Sequence, residues 1–241
     1  MSFTAFISDL HLTSARAGIN RIFFEFLAGP ARQSDRLYIL GDLFEYWAGD
    51  DDLKDPLNAQ VASGLRALVA AGVPVSVMHG NRDFLMLQGF AAASGVQLIA
   101  DPAVTDLYGT RTLLLHGDTL CTEDVRYQAF RRRARSRWWQ RVFLLQPLWL
   151  RRAEIERARQ MSERSKRIKP TEIMDVTPAA VEQAFRDSGC VRMIHGHTHR
   201  PARHVHIVDG KACERWVLSD WYRRGQYLRV APEGWTSVEL M

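Results

Sequence analysis

Five short segments of this chain carry side chains that bind divalent cations: Asp9-Leu10-His11, Gly41-Asp42, Gly80-Asn81-Arg82-Asp83, His116-Gly117-Asp118 and Gly196-His197-Thr198-His199. Most of them end a run of apolar residues. Each run reads as a buried strand, so each segment falls where a strand gives way to a loop. In an α/β scaffold the loop tips at the carboxyl ends of strands are where a site is gathered. Together they offer Asp, His and Asn and no thiol, a mixture that suits two divalent cations such as manganese better than a structural zinc. One Asp-x-His or Gly-Asp alone arises often by chance. A histidine after a strand is more often a hydrogen-bonded loop residue than a ligand. It is the series that carries the argument.

The elements that must position these segments follow from periodicity. Strands are expected at Thr4 to Ser8, Arg36 to Leu40, Val75 to His79, Thr112 to Leu115 and Val191 to Ile194, each delivering one of the segments. Helices are expected at Arg16 to Ala28, Leu57 to Ala71 and Phe84 to Ser94. Four further strands are expected after the last segment: Val205 to Val208, Arg215 to Leu218, Tyr227 to Val230 and Ser237 to Leu240. Alternating βα units followed by a β-rich tail imply an α/β fold of two packed sheets with helices outside.

A chain of 241 residues, 46% apolar and 24% charged, fits one soluble domain, here 1–241. The opening residues lack a basic n-region, and no stretch approaches the ~18 apolar residues that span a bilayer. Cys121, Cys190 and Cys213 are odd in number and far apart, as reduced thiols in the cytoplasm would be. The charge is uneven. Residues 125–170 hold 15 Lys and Arg against 3 Glu, a net +12, which leaves −7 for the rest. This stretch reads as a helical insertion, helical at Tyr127 to Arg137 and Arg151 to Arg167, around an apolar block from Trp138 to Leu150. Such charge density implies an anionic partner. A solvated basic face over ordinary core is the plainer alternative. Its place between two metal segments makes the insertion a candidate lid.

The order of the five segments resembles the calcineurin-like metallophosphoesterase family, over Phe3 to about Asp124 and again over Val191 to Arg200. The resemblance implies a sandwich of two mixed sheets flanked by helices, and two Mn2+ ions. It implies that Asp9, His11 and His199 hold one metal, that Asn81, His116 and His197 hold the other, and that Asp42 bridges them. A water shared by two such cations loses a proton near neutral pH and becomes the nucleophile. His195 and Asp118 are expected behind the ligands rather than among them.

One position departs from the broad family. Many relatives have a histidine after the Asn, able to protonate a leaving group; this chain has Arg82. Arginine does not give up its proton, but it clamps phosphate with a bidentate fork. The leaving group must then be good without help, as a nucleoside monophosphate is, which points to a pyrophosphate bond. The runs Gly41-Asp42-Leu43-Phe44-Glu45-Tyr46-Trp47 and His116-Gly117-Asp118-Thr119-Leu120-Cys121-Thr122-Glu123-Asp124, with Tyr127-Gln128-Ala129-Phe130-Arg131, resemble the UDP-2,3-diacylglucosamine diphosphatases of lipid A biosynthesis. That resemblance implies attack at the α-phosphorus, giving UMP and 2,3-diacylglucosamine 1-phosphate. It implies substrate contacts from Asn81, Arg82, Asp124, Ser162, Lys166, Lys169 and His197. It also implies peripheral attachment at the cytoplasmic face of the inner membrane, with no nucleic acid partner. The competing readings are a manganese nuclease or other phosphodiesterase using the basic insertion on a polyanion, and a non-enzymatic scaffold that keeps the fold without the metals.

Overall fold

The computed structural model describes residues 2–166 and 175–240, those from 163 to 166 by their backbone alone. Eleven strands form two sheets. The first contains β1 (Thr4–Ile7), β2 (Arg36–Leu40), β3 (Val75–Met78) and β4 (Gln97–Ile99) in parallel order, extended beyond β1 by antiparallel β10 (Gly225–Ala231) and β11 (Gly234–Leu240). The second runs β5 (Ala103–Leu107), β6 (Thr110–Leu114), β7 (Arg192–His195), β9 (Lys211–Val217), β8 (Ala202–Val208), with β6, β7 and β9 parallel and both outer strands antiparallel. Seven helices are described: α1 (Ala17–Ala28), α2 (Pro56–Ala70), α3 (Gln88–Ser94), α4 (Val125–Ala134), α5 (Arg137–Leu144), α6 (Leu148–Lys166) and α7 (Pro178–Ser188).

The near-continuous apolar runs are explained by burial on both faces of each sheet. Phe6, Tyr38, Leu40 and Met78 of the first sheet meet Leu107, Leu114 and Ile194 of the second across the middle of the sandwich. On the alternate positions Ala5, Ile7, Ile39 and Val77 pack outward against Phe23 and Phe26 of α1 and Val61 and Leu65 of α2. Leu113 and Met193 of the second sheet pack outward against Val181 and Phe185 of α7. The period-2 alternation of strand side chains sorts each strand between two apolar layers.

One expectation needs correction, and two details go beyond the sequence. The helix expected from Phe84 begins only at Gln88, because Met86 N–H closes a turn onto the Asp83 carbonyl and Asp50 takes the backbone N–H groups of Leu87 and Gly89. The edge strands β4 and β5 and the helix α7 were not anticipated; β4 and β5 are short and half-polar, their burial alternating rather than continuous. The Trp138 to Leu150 block is itself mostly helix, split into α5 and the start of α6 by Pro147.

Candidate metal centre

The five segments meet at one end of the sandwich, beyond the carboxyl ends of β1, β2, β3, β6 and β7. The loops brace each other as continuations of the sheets: Asp9 N–H donates to Gly41 O at 3.1 Å, His11 N–H to Asp42 O at 2.9 Å and Gly196 N–H to His116 O at 2.9 Å. Asp9, His11, Asp42, His197 and His199 all have positive φ, between 49° and 68°. Side chains adopt that region only at a cost, and residues held there concentrate at functional sites. The glycines are required by crowding. A Cβ on Gly41, at φ 90°, would lie 2.5 Å from His116 Nδ1, and one on Gly80 would lie 2.0 Å from Asp42 Oδ1.

The ligand atoms fall into two groups around Asp42. His199 Nε2 lies 3.3 Å from Asp9 Oδ1 and 3.5 Å from His11 Nε2, and His11 Nε2 lies 3.8 Å from Asp42 Oδ2. On the other side His116 Nε2 lies 3.1 Å from Asn81 Oδ1 and 3.8 Å from Asp42 Oδ1. Asp42 thus turns one carboxylate oxygen toward each group, as a bridge would. Ligands about 2.1 Å from a common cation stand about 3.0–3.5 Å apart, which the 3.1, 3.3 and 3.5 Å separations match, while the two to Asp42 are longer at 3.8 Å. Asp9, His11 and His199 meet the spatial requirements of one metal-binding group, and Asp9, Asp42 and His116 those of another. His197 stands beside His116 with ring centroids 5.0 Å apart.

A hydrogen bond behind a ligand fixes its tautomer, and His116 has one. His116 Nδ1 donates to Leu40 O at 2.9 Å, leaving Nε2 free to coordinate. His199 Nδ1 faces Asp220 Oδ2 at 3.5 Å, and His11 Nδ1, otherwise unpartnered, faces Glu45 Oε2 at 4.0 Å. Burial opposes charge on His116, but the carboxylates of Asp42, Asp9 and Asp118 outweigh it and raise its pKa to about 9. Burial raises Asp42 to about 7, with the charges of Asp83 and Asp9 adding to it. Burial also tends to raise Asp9, yet the hydrogen bond and charge of His199 hold it below the usual carboxylate range. His197 is lowered to about 3 by burial and by the neighbouring His116.

His195 is fully buried beneath the Gly196 loop. Its Nδ1 donates to Gly196 O at 2.8 Å and its Nε2 accepts from Arg215. Asp118 makes no hydrogen bond to a ligand histidine: its Oδ2 accepts from Tyr127 Oη at 2.5 Å and Arg131 Nε at 2.7 Å, which ties α4 to the site, while its charge acts on His116 and His197. Of the expected substrate contacts, Asn81 is within the ligand group, and Arg82 lies at its edge with Nη1 3.8 Å from Glu45 Oε1. Asp124 caps α4, accepting from Tyr127 N–H at 3.1 Å, and Ser162 is exposed on α6. Lys169 and the side chain of Lys166 lie outside the described residues.

Sequence reasoning gave no role to Glu45 or Asp220. Glu45 stands three residues after Asp42 inside a quoted run. Asp220 follows β9, an alternating strand (Lys211–Val217) without the apolar run that precedes Asp9.

The insertion packs onto the site loops. Arg135 donates to Gly80 O at 2.9 Å, Arg159 to Glu45 Oε1 at 2.7 Å, and the Tyr127 ring lies over His197 at 6.1 Å. Phe143 is buried and stacks on Trp139 at 4.8 Å, whereas Trp138, Leu145 and Trp149 are 75%, 85% and 71% exposed.

The calcineurin-like phosphoesterase family model matches residues 4–201. A protein of Aromatoleum aromaticum named UDP-2,3-diacylglucosamine hydrolase is 51% identical over 224 residues, 93% of this chain and 91% of its own. One of the same name from Cellvibrio japonicus is 49% identical over 231 residues, 96% of each chain. Another, from Klebsiella pneumoniae, is 48% identical over 238 residues, 99% of this chain and 98% of its own.

Proposed function

The chain belongs to the calcineurin-like phosphoesterase family, and from that premise we propose that it hydrolyses UDP-2,3-diacylglucosamine at the α-phosphorus, giving UMP and 2,3-diacylglucosamine 1-phosphate, with two manganese ions. The observation that carries this reading is the extent of the likeness to the hydrolases so named: alignment over 99% of the chain takes in the lid helices as well as the metal loops. The lid is where a substrate-specific wall would differ between phosphoesterases.

The residues fit a pair of metals, since Asp42 offers an oxygen to each group and His116, His199 and His11 have their Nδ1 sides engaged or facing carboxylates. Asp9, His11, His199 and Asp42 would hold one cation, and Asp42, Asn81, His116 and His197 the other. Bound there, two cations supply Lewis acidity toward phosphoryl oxygens and a water acidic enough to attack at neutral pH. The chain's own part is positioning and charge. Arg82 stays protonated and forks onto a phosphate. It cannot hand a proton to an alkoxide, so the departing group must be a phosphate monoester, as the lipid phosphate is. Glu45 holds Arg16 at 2.5 Å and Arg159 at 2.7 Å beside Arg82, a concentration of cationic donors suited to a diphosphate.

The exposed Trp138, Leu145 and Trp149 and the arginines around them suit acyl chains and an anionic membrane surface. No described helix is long and apolar enough to cross a membrane, so attachment on this reading is peripheral, at the cytoplasmic face of the inner membrane. The test is turnover of UDP-2,3-diacylglucosamine with and without manganese. Manganese-dependent release of UMP supports the proposal. Hydrolysis of a nucleic acid with no turnover of the lipid nucleotide would replace it with the nuclease reading.

A further inference from the structure

Thr198 and Arg200, which flank the ligand His199, also line a second cavity of about 230 Å3, bounded further by Asp175, His204, Arg215 and Val217. Its inner wall is unusual. Arg215, on β9, is 6% exposed, yet its partners are two imidazoles. Its Nε donates to His206 Nε2 at 3.2 Å and its Nη1 to His195 Nε2 at 3.0 Å. His195 Nδ1 is already donating to Gly196 O at 2.8 Å, so that ring accepts from Arg215 as a neutral base and brings no counter-charge. Among the described residues no carboxylate lies within ion-pairing distance of Arg215, while Arg200 at the mouth is ion-paired with Asp175.

A buried guanidinium that feels a carboxylate only from Asp175, itself ion-paired with Arg200, is poorly compensated, and a ligand that brings an anion recovers that cost. A planar fork of donors is matched by tetrahedral oxyanions. The volume holds several waters at about 30 Å3 each, hence one phosphate group. We propose that this cavity is a binding site for a phosphate-class oxyanion, held by Arg215 with help from Arg200 and the Thr198 hydroxyl, and separate from the metal centre. The oxyanion is either free inorganic phosphate or the phosphate of a nucleoside monophosphate. The proposal does not depend on which diphosphate the metal centre cleaves.

The test is equilibrium dialysis of the metal-loaded full-length protein against radiolabelled inorganic phosphate and, separately, UMP. Two classes of phosphate site are expected. Arg82→Ala should weaken the one at the metal centre. Arg215→Gln should weaken the other at least tenfold, and Arg215→Lys, which keeps the charge, should hold within a few-fold of the unmodified protein. Should Arg215→Gln fail to fold, Arg200→Gln at the exposed mouth should still weaken that class several-fold. A second UMP per chain, lost with Arg215→Gln, identifies the nucleotide as the source; one UMP with two phosphates identifies the free ion. A single class of site, or a second class indifferent to both the Arg215 and Arg200 substitutions, overturns the proposal.

Discussion

Glu45 Oε1 accepts a hydrogen bond from Arg159 Nη2 at 2.7 Å, joining the lid helix α6 to the loop that follows Asp42 across 114 residues of sequence. The same carboxylate takes Arg16 at 2.5 Å and lies 3.8 Å from Arg82 and 4.0 Å from His11 Nδ1. It is mostly buried, so it is not a screened surface pair. Glu45→Gln leaves three guanidiniums facing one another. A charge-assisted hydrogen bond contributes about 1.5–3 kcal/mol, so kcat/KM should fall roughly tenfold to a hundredfold while both metals stay bound. A double-mutant cycle with Arg159→Gln should show the two changes to be far from additive; full additivity would mean the lid does not act through Glu45.

Asp42 turns an oxygen to each ligand group, so Asp42→Ala should cost both activity and metal content. Turnover should drop by at least about a thousandfold, and metal analysis should find fewer than two ions per chain. Two retained metals with near-normal turnover would contradict the bridging role.

Metal uptake should release protons. Without metal, His116 is raised to about 9 and Asp42 to about 7, so at pH 7 the pair holds at least one proton that a cation must displace. The sign follows: below about 9 the proton competes, so metal affinity should climb as pH rises from 7 to 9, about tenfold per unit for one proton, and level off above. Calorimetry in buffers of different ionisation enthalpy measures the number released. A value of zero at pH 7 would contradict the assignment.

How much of this was legible depended on how local each signal was. Asp9, Asp42, Asn81, His116, His197 and His199 could be read because each follows a short apolar run whose strand is buried on both faces. The second layer was hidden because its partners come from far along the chain: Asp220 reaches His199 from the loop after β9, and Glu45 meets Arg159 from the lid. Proximity in sequence to His116 places Asp118 near the ligands, but not the hydrogen bonds from Tyr127 and Arg131 through which it also ties α4 to the site. In the insertion, composition identified an apolar block without its facing. Phe143 turned inward and Leu145 outward, a distinction that depends on helix register.

That register decides which residues test the lid. Phe143→Ser would open a cavity beside Trp139 and destabilise the helix itself. Trp138→Ser, Leu145→Ser and Trp149→Ser remove exposed apolar surface while leaving the packing intact. The triple variant should bind anionic vesicles at least tenfold more weakly and lose preference for acylated over de-acylated UDP-sugar, since each buried methylene contributes about 0.8 kcal/mol. Equal turnover of both sugars by the unmodified enzyme would remove the lipid-binding role from the lid.

The proposed attack falls on the α-phosphorus, with a phosphate monoester leaving unprotonated past Arg82. It is tested most directly by turnover of UDP-2,3-diacylglucosamine in heavy-oxygen water, followed by mass spectrometry of both products. One heavy oxygen is expected in UMP and none in 2,3-diacylglucosamine 1-phosphate. Label in the lipid phosphate would contradict it.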